Sequence, residues 1–359
     1  MKLLENTINK INYLDKEKMN LAQERLNNLT KPEGSLGKLE ELAVKLAGIT
    51  GKTCPEIINK YHIVMAGDHG VAGEGVSAYP QELTTQMVYN FLQEGAAINV
   101  LASQAEAELK IVDTGMINTI NKDIFKEYPD SEARFIEKRI RAGTDNMVNG
   151  PAMSREEAIT SIENGIKVVN EVIADGADLI GVGEMGIGNT TPATAITGVI
   201  MDLPLEKLVG YGTGIDETRK KHKQETIAKA LEVNQPNSED GIDILSKVGG
   251  FEIGGMAGVM LGAAASNIPV IIDGLICTSA ALIAAKIKPE VTTYFIPSHK
   301  SEEPAHEKIY KYLNLKPMLY MNMRLGEGTG AVLAMSLVES ACEIMSNMAT
   351  FEDLENMEW

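Results

Sequence analysis

Hydrophobic positions along the chain follow two alternating patterns. Short, almost continuous apolar runs, such as 62–66 and 269–272, alternate with longer stretches in which apolar residues recur at helical spacing. A continuous apolar run is typical of a strand buried on both faces, and the second pattern is typical of an amphipathic helix. The alternation predicts an α/β fold with an open, mostly parallel, Rossmann-like sheet flanked by helices.

Five strands are predicted, and a polar or glycine-rich turn follows each of them. They span residues 62–66, 110–112, 178–182, 269–272 and 293–296. The turns contain Gly67-Asp68-His69, Asp113-Thr114-Gly115, Glu184-Met185-Gly186, Asp273-Gly274 and Ser298-His299. Ligands bind beyond the carboxyl ends of the strands in open α/β sheets. The five turns therefore predict one shared site.

Helix signals stand at several points between and before these strands. Residues 1–30 carry Leu, Ile and Met at helical spacing, which predicts one or two amphipathic helices. Ser35 is the predicted N-cap of the helix that follows. Ser154 and Glu157 have the spacing of a capping box at the start of another helix.

The two ends of the chain are predicted to lie together. A final helix is expected over residues 331–347, and the acidic tail from Phe351 onward is expected to fray. We expect residues 1–30 and 335–359 to form a small helical lobe beside an α/β catalytic domain of residues 31–334.

Charge and cysteine usage narrow the class of function. The net charge of −17 argues against a nucleic-acid-binding protein, which needs a basic surface. The three cysteines are far apart, so neither a disulfide framework nor a structural zinc site is expected, and a cytoplasmic location is favoured. The first residues lack the apolar core of a signal peptide, and no run has the length of a membrane span.

One carboxylate stands in an unusual setting. Glu327 lies between Gly326 and Gly328, with Gly330 two residues further on, directly before the final apolar helix. Glycine allows a ligand to approach the backbone closely, so the carboxylate is the one bulky polar group that the segment presents. This arrangement favours a positioned proton acceptor over a surface turn.

The segment Gly181–Gly186 formally matches a dinucleotide-binding fingerprint, with Asp202 at a suitable distance after it. The glycines surround Glu184, however, and a carboxylate repels a pyrophosphate. NAD binding, a structural turn and a phosphate or sugar cradle all remain open. The cradle is favoured, because N–H groups at a helix N-terminus bind anions, with Thr191 as the predicted cap and Pro192 as the first helical residue.

Two more glycine-rich segments each have two interpretations. The loop Gly212–Asp216, with Lys223 after it, is either a phosphate site or a helix cap beside a solvated basic face. The segment Gly249–Gly258 indicates either a helix packed very closely on the sheet or N–H groups that face a ligand.

Metal and hydrolase chemistry are disfavoured. Asp68 and His69 are candidate metal ligands, but the other histidines lack the spacing of a metal site, so no metal is expected. Ser298 and His299 suggest a nucleophilic pair, yet no G-x-S-x-G elbow presents a serine for attack.

Taken together, the motifs resemble the nicotinate-nucleotide–dimethylbenzimidazole phosphoribosyltransferase family of cobalamin biosynthesis. The similar segments are collinear between about residues 30 and 345. They include Lys31-Pro32-Glu33-Gly34-Ser35, Gly67-Asp68-His69-Gly70, Gly183-Glu184-Met185-Gly186-Ile187-Gly188-Asn189-Thr190-Thr191, Gly249-Gly250-Phe251-Glu252, Ser298-His299 and Arg324-Leu325-Gly326-Glu327-Gly328.

The resemblance implies a reaction without metal or cofactor. Nicotinate mononucleotide and a benzimidazole would give an α-ribazole phosphate and nicotinate. Glu327 matches the general base of the family, since a carboxylate in a dry pocket has a raised pKa and is a better base near neutral pH. Glu184 matches a second carboxylate of the pocket.

The resemblance also implies the binding residues and a homodimer. The acceptor base is expected to lie near Tyr79, Gln86 and Met87, where the bulk of Tyr79 leaves other benzimidazoles, purines or phenolics open as acceptors. The residues matching positions that hold the ribose, phosphate or nicotinate carboxylate are Gly186, Gly188, Asn189, Thr190, Gly212, Gly214, Lys223, Asp273, Gly274, Ser301 and Arg324.

Two other hypotheses stand beside the phosphoribosyltransferase. The first is an NAD(P)-dependent oxidoreductase that uses the loop Gly181–Gly186. The second is a non-catalytic nucleotide-binding protein that keeps the fold.

Overall fold

Six parallel strands form one sheet in the order β3-β2-β1-β4-β5-β6. The computed structural model describes residues 2–212 and 214–356. The strand order is that of the Rossmann fold, so the predicted fold class is confirmed. The strands are β1 Lys60–Gly67, β2 Ala107–Gly115, β3 Phe135–Glu137, β4 Leu179–Met185, β5 Val270–Ile272 and β6 Phe295–Pro297.

Helices cover both faces of the sheet. They are α1 Lys2–Ile8, α2 Lys16–Asn28, α3 Lys38–Thr50, α4 Leu83–Leu92, α5 Ala97–Gln104, α6 Ile124–Glu127, α7 Arg155–Ala174, α8 Thr190–Met201, α9 Glu217–Asn234, α10 Gly241–Val248, α11 Phe251–Ala265, α12 Leu275–Ile287, α13 Pro304–Tyr312, α14 Thr329–Asn347 and α15 Phe351–Glu355.

Strand β1 shows why its sequence is continuously apolar. Ile63 and Met65 pack into the hydrophobic core that includes α7, α8 and α10–α12. Val64 and Ala66 point the other way, into the core that includes α3, α5 and α14. Because successive side chains alternate between faces, a strand covered on both sides needs apolar residues at every position.

Three local predictions need correction. Ser35 is not the N-cap of α3, because that helix begins at Lys38 after Gly37. Helix α8 begins at Thr190 rather than Pro192, so the proline lies within the first turn, where a missing N–H group breaks no helical bond. Strand β3 was not predicted, since it has only three residues and none of them is buried.

The capping box at the start of α7 is confirmed. The Ser154 hydroxyl accepts the N–H of Glu157 at 3.1 Å, and the Glu157 carboxylate accepts the N–H of Ser154 at 2.8 Å. The final predicted helix corresponds to α14. Beyond it, Thr350 caps the short helix α15, so the tail is ordered as a helix as far as Glu355.

The glycine-rich segment 249–258 is explained by close packing of α11, both on the sheet, as one of the two interpretations predicted, and on helix α7. A Cβ atom on Gly255 would lie 3.1 Å from the sulfur atom of Met65 in β1. A Cβ atom on Gly165 of α7 would lie 1.9 Å from the carbonyl oxygen of Gly255 in α11. A Cβ atom on Gly258 would lie 2.0 Å from the carbonyl oxygen of Ile162. These distances are far below van der Waals contact, so the two helices reach this separation only with glycine at both positions.

The terminal helices pack on several parts of the fold. Helix α1 contacts α7 and α11, and α2 contacts α3 and α14. Leu29, just after α2, forms an isolated antiparallel bridge with Thr350. The division into a helical lobe and a catalytic domain stays a prediction.

Within the described residues, α14 is the one helix whose length and composition would allow it to cross a membrane. Of the 18-residue apolar stretch in this helix, 56% is buried inside the fold. Its apolar residues, among them Val332, Met335 and Val338, belong to the core beside the sheet. The helix therefore has the environment of a core helix.

Candidate active site

A cavity of about 250 Å³ lies beyond the carboxyl ends of β4, β5 and β6. The predicted site residues on its wall are Tyr79, Glu184, Gly186, Asn189, Thr190, Gly212, Asp273, Gly274, Ser301, Arg324 and Glu327. His299 and Glu303 also line it. The turns after three of the five predicted strands thus meet at one site, whereas the turns after β1 and β2 do not line the cavity.

The segment that carries Glu327 has an unusual backbone. Gly326, Glu327 and Gly328 all have positive φ angles, of 90°, 61° and 82°. Glycine adopts this conformation freely, but for Glu327 it costs about 1–2 kcal/mol. Such a conformation persists only where surrounding contacts hold it in place.

His62 supplies one of these contacts from β1. Its Nε2 lies 3.1 Å from the carbonyl oxygen of Glu327. Complete burial lowers the pKa of His62 to about 4, so the ring is neutral at pH 7. We therefore assign the proton to Nε2, where the ring donates it to the Glu327 carbonyl.

Asp273 supplies the second contact from the end of β5. Helix α14 has Gly328 at its N-cap, so no side chain there accepts its first N–H groups. One oxygen of Asp273 accepts the N–H groups of Gly330 at 2.9 Å and Ala331 at 3.1 Å instead. These are the positions that an N-cap side chain normally satisfies. A residue 57 positions away in sequence therefore caps the helix that begins beside Glu327.

The Glu327 carboxyl itself is buried, with 4% of the residue exposed. Burial raises its pKa, and the nearby Asp273 charge acts in the same direction. An N–H group of α5, that of Ile98, donates to Glu327 Oε2 at 3.2 Å and moderates the shift. The carboxyl is thus a stronger base than an exposed glutamate, and Glu327 lines the cavity.

The glycines that match the dinucleotide-binding fingerprint make room for the N-terminus of helix α14. Gly181 and Gly183 lie inside β4, not in a loop. A Cβ atom on Gly183 would lie 2.4 Å from the carbonyl oxygen of Glu327, and one on Gly181 would lie 2.5 Å from His62 Nδ1. Asp202 is the exposed C-cap of α8. The match to a dinucleotide-binding fingerprint therefore comes from close packing, and the structure gives the oxidoreductase hypothesis no support.

Glu184 follows these glycines and is buried on the cavity wall. Burial raises its pKa to about 8, although the Asn189 amide, which donates to one carboxyl oxygen, acts against the shift. The charges of Glu252, Asp273 and Glu327 raise it further. Glu184 is consequently protonated at neutral pH and can donate a hydrogen bond into the cavity.

A basic group stands behind the predicted phosphate cradle. Lys223 of α9 is fully buried, and its Nζ donates to the Thr190 hydroxyl at 2.6 Å. Burial lowers its pKa to about 8. Lys223 lies next to the cavity wall, because a Cβ atom on Gly212 would be 3.5 Å from its Nζ. Gly214 is exposed, and Thr213 lies outside the described residues.

The wall near β6 holds the residues that suggested a nucleophilic pair. The Ser298 hydroxyl is 3.1 Å from Nδ1 of His299, but Ser298 is fully buried and does not line the cavity. His306 lies behind this wall, where Nδ1 accepts the N–H of Ser301 and Nε2 is 3.2 Å from the Asp273 carbonyl. Burial lowers the pKa of His306 to about 3, so it is a neutral structural group.

Asp68 and His69 are engaged in other contacts. His69 Nε2 lies 2.8 Å from Glu252 Oε1, and both side chains are buried. Burial acts to lower the pKa of His69, but Glu252 raises it above its ordinary value, so the two form a buried ion pair. Asp68 accepts the N–H of Ile117 at 2.8 Å. In the described part of the chain, no group of three or more His, Cys, Asp or Glu residues is arranged to hold a metal ion.

The three predicted acceptor residues have different surroundings. Tyr79 lines the cavity and is 52% exposed. Gln86 and Met87 lie on α4, where Gln86 is exposed and Met87 packs against the core beside α14. Gly188, with a φ of 90°, forms the turn just before α8.

Two polar residues of the wall were not among the predicted site residues. His299 lies within 3.6 Å of Asp273, and Glu303 accepts the N–H of Gly212 at 2.9 Å. Their position in the segment after β6 is the signal that could have identified them, because the segments after β4 and β5 also line the cavity.

Comparisons with known proteins agree with this geometry. A family model described as a phosphoribosyltransferase matches residues 11–355. The chain is 49% identical over 354 residues to the nicotinate-nucleotide–dimethylbenzimidazole phosphoribosyltransferase of Desulforamulus reducens, with 98% of each chain covered. It is 50% identical to the enzyme of that name from Halalkalibacterium halodurans, with 98% of this chain and 96% of the relative covered.

Solved structures show the same relationship. The crystal structure of the nicotinate-nucleotide–dimethylbenzimidazole phosphoribosyltransferase from Thermus thermophilus superposes with a TM-score of 0.88. The two chains are 38% identical, and the alignment covers 96% of this chain and 100% of the other.

The tertiary cap of α14 can be tested by mutation. We expect Asp273→Ala to lower the free energy of unfolding by about 1–3 kcal/mol, because two buried N–H groups lose their acceptor. Asp273→Asn keeps an acceptor oxygen and should cost clearly less. Urea denaturation measures both variants. Equal losses for the two would contradict the cap and point to the carboxylate charge instead.

Proposed function

This chain belongs to the nicotinate-nucleotide–dimethylbenzimidazole phosphoribosyltransferase family, and we propose that it transfers the phosphoribosyl group of nicotinate mononucleotide to a benzimidazole-type base. The products are an α-ribazole 5′-phosphate and nicotinate, in the assembly of the cobalamin nucleotide loop. The observation that carries the proposal is Glu327, a buried carboxyl of raised pKa on the wall of the cavity.

The proposed reaction exchanges one bond for another at the anomeric carbon. The bond from C1′ to the pyridinium nitrogen breaks, and its electron pair leaves with nicotinate. A ring nitrogen of the acceptor forms the new bond on the opposite face, which converts the β into the α configuration. Glu327 takes the proton from the acceptor ring, so the attacking nitrogen does not become permanently cationic.

The carboxyl groups divide this work because their environments differ. Glu184, with a pKa of about 8, carries a proton at neutral pH and can donate a hydrogen bond to the acceptor base or to Glu327. Glu327 receives a backbone N–H hydrogen bond that favours its ionised form. Glu184 is thus suited to donate a hydrogen bond into the cavity, and Glu327 is suited to accept a proton once it is ionised.

The phosphate end of the donor is assigned to the other part of the wall. Thr190 lies at the N-terminus of α8, where N–H groups favour anions, and Lys223 lies behind it. Asp273 has its carboxylate engaged by α14, so it supports the site from behind. The residues that would give close access to the backbone or add polar groups are Gly186, Gly188, Asn189, Gly212, Gly274, Ser301 and Arg324.

The base assignment predicts a specific loss of chemistry. We expect Glu327→Gln to lower kcat on the order of 100- to 10,000-fold, because the proton acceptor is removed. The dissociation constant of nicotinate mononucleotide should hardly change. Nicotinate release with dimethylbenzimidazole measures kcat, and calorimetry measures donor binding.

The wild-type pH profile supplies an independent check. Since the pKa of Glu327 is raised, kcat should rise with pH as this group ionises. A Glu327→Gln variant that keeps the full wild-type rate would contradict the base assignment. A wild-type protein that binds the donor but releases no nicotinate with any aromatic base would favour a non-catalytic nucleotide-binding protein.

Tyr79 is proposed to select the acceptor. Its ring lines the cavity, so its size limits which aromatic base fits. We expect Tyr79→Ser to change the relative kcat/KM values for benzimidazole, dimethylbenzimidazole, adenine and phenol more than it changes donor affinity. Competition assays with pairs of acceptors give these ratios. Identical acceptor profiles for both proteins would contradict the role.

We also propose that the protein is a cytoplasmic homodimer, with the partner at the mouth of the cavity. Tyr320, Met321 and Leu325 are 68%, 55% and 60% exposed, and Leu325 also lines the cavity. An exposed apolar segment beside a site is typical of a surface covered by another chain. Sedimentation equilibrium should give twice the chain mass of 38.8 kDa, and Leu325→Glu should shift it toward the monomer.

A further inference from the structure

Glu303 has a placement that its sequence position does not explain. It is the N-cap residue of α13, yet its side chain makes no capping hydrogen bond. Instead, Oε1 accepts the N–H of Gly212, at 2.9 Å, from a loop 91 positions earlier. The residue is 8% exposed and lines the cavity. Its carboxylate is therefore committed to the loop that carries Gly212.

The loop is shaped around this carboxylate. A Cβ atom on Gly210 would lie 1.9 Å from Glu303 Oε2, so no other residue fits at position 210 without moving the carboxylate. The carbonyl oxygen of Gly212 accepts a hydrogen bond from Arg324 at 3.3 Å. The peptide groups of Gly212 are thus held from two sides, by an anion at the N–H and by a cation at the carbonyl.

Lys223 lies directly behind this loop and is completely buried. Its Nζ donates to the Thr190 hydroxyl, which is a neutral group. Burial lowers the pKa of Lys223 to about 8, and Glu303 is the charge that acts in the opposite direction. A lysine with such a pKa is close to losing its charge under physiological conditions, so it depends on this carboxylate.

Other charged groups near α9 are engaged elsewhere. His222 contacts the Glu74 carbonyl, and Glu206 accepts a hydrogen bond from Gln224. On α10, which packs against α9, Asp243 pairs with Lys247. In the described residues, Glu303 is the charged side chain whose field acts on Lys223.

We propose that Glu303 is a positioning residue of the donor site: its carboxylate fixes the Gly212 loop and keeps Lys223 in the ammonium form, whose positive charge behind Thr190 attracts the donor phosphate. The inference rests on the proposed function, because it takes a phosphorylated donor as the ligand. Glu303 contacts no reacting atom and acts through Gly212 and Lys223.

The two parts of this role separate in a Glu303→Gln variant. The amide oxygen of glutamine can still accept the N–H of Gly212, so the loop keeps its anchor. The negative charge is lost, so the pKa of Lys223 falls and the lysine becomes neutral at a lower pH. Below the pKa that Lys223 has in either protein, the donor affinity of the variant should equal or exceed that of the wild type, since a carboxylate near the phosphate is also removed.

The test is the dissociation constant of nicotinate mononucleotide between about pH 6 and pH 9, measured by calorimetry. We expect similar affinities for wild type and Glu303→Gln at the acidic end. As the pH rises, the affinity of the variant for the donor should begin to fall at a lower pH than that of the wild type. The difference in affinity should reach up to about tenfold for each unit by which the pKa of Lys223 falls. Glu303→Asp keeps the charge and should retain the wild-type pH dependence, even if its shorter reach weakens binding at every pH.

Two controls make the result specific. Glu302→Gln changes the exposed neighbour and should behave as wild type throughout. Nicotinate riboside lacks the phosphate, so its binding should show no pH-dependent difference between wild type and Glu303→Gln. Identical pH dependence of nicotinate mononucleotide binding in these two proteins, or a uniform loss at all pH values, would overturn the role of Glu303. A wild-type protein that binds no nicotinate mononucleotide would instead overturn the proposed function.

Discussion

The docking of the N-terminus of α14 onto the ends of β4 and β5 is the constraint on which the site depends. Glu327 lies at this junction in a left-handed conformation that few non-glycine residues adopt. Asp273 caps the helix on one side, and His62 holds the Glu327 carbonyl on the other. Gly183 leaves the space that this approach requires. Backbone strain at one residue is thus balanced by contacts from two strands, and its result is a fixed direction for one carboxylate.

Burial then decides which groups carry charge. Several carboxyl groups share the cavity wall, and full ionisation of all of them would be costly in a region with little water. The pKa of Glu184 is raised to about 8, whereas those of His62 and His306 are lowered to about 4 and 3. At neutral pH, Glu184 on the wall is therefore a neutral acid, and the buried histidines His62 and His306, which do not line the cavity, are neutral as well. Burial likewise lowers the pKa of Lys223, and the charge of Glu303, which is distant only in sequence, acts in the opposite direction.

The cavity does not lie at the place where the strand order predicts a ligand. In a Rossmann fold, the switch point between β1 and β4 is the usual place for a ligand. Here the buried pair of His69 and Glu252 occupies that region, and a Cβ atom on Gly186 would lie 3.3 Å from His69 Nε2. The cavity lies instead toward β5 and β6, next to the start of α14. The Rossmann strand order thus positions a cavity lined by several carboxyl groups, and not the dinucleotide site that the glycine pattern suggested.

Sequence by itself determined the fold class and the five predicted strands, and it singled out Glu327 as a candidate base, because apolar periodicity and glycine placement are local properties of the chain. It could not determine the meaning of the glycines in β4, the cap supplied by Asp273 or the contact of Glu303 with Gly212. Each of these joins residues that lie far apart in sequence, and a glycine that binds a phosphate is identical in sequence to one that makes room for a helix. Only the tertiary structure decides between them, since burial, close approach and the field of a neighbouring charge arise when distant segments pack together.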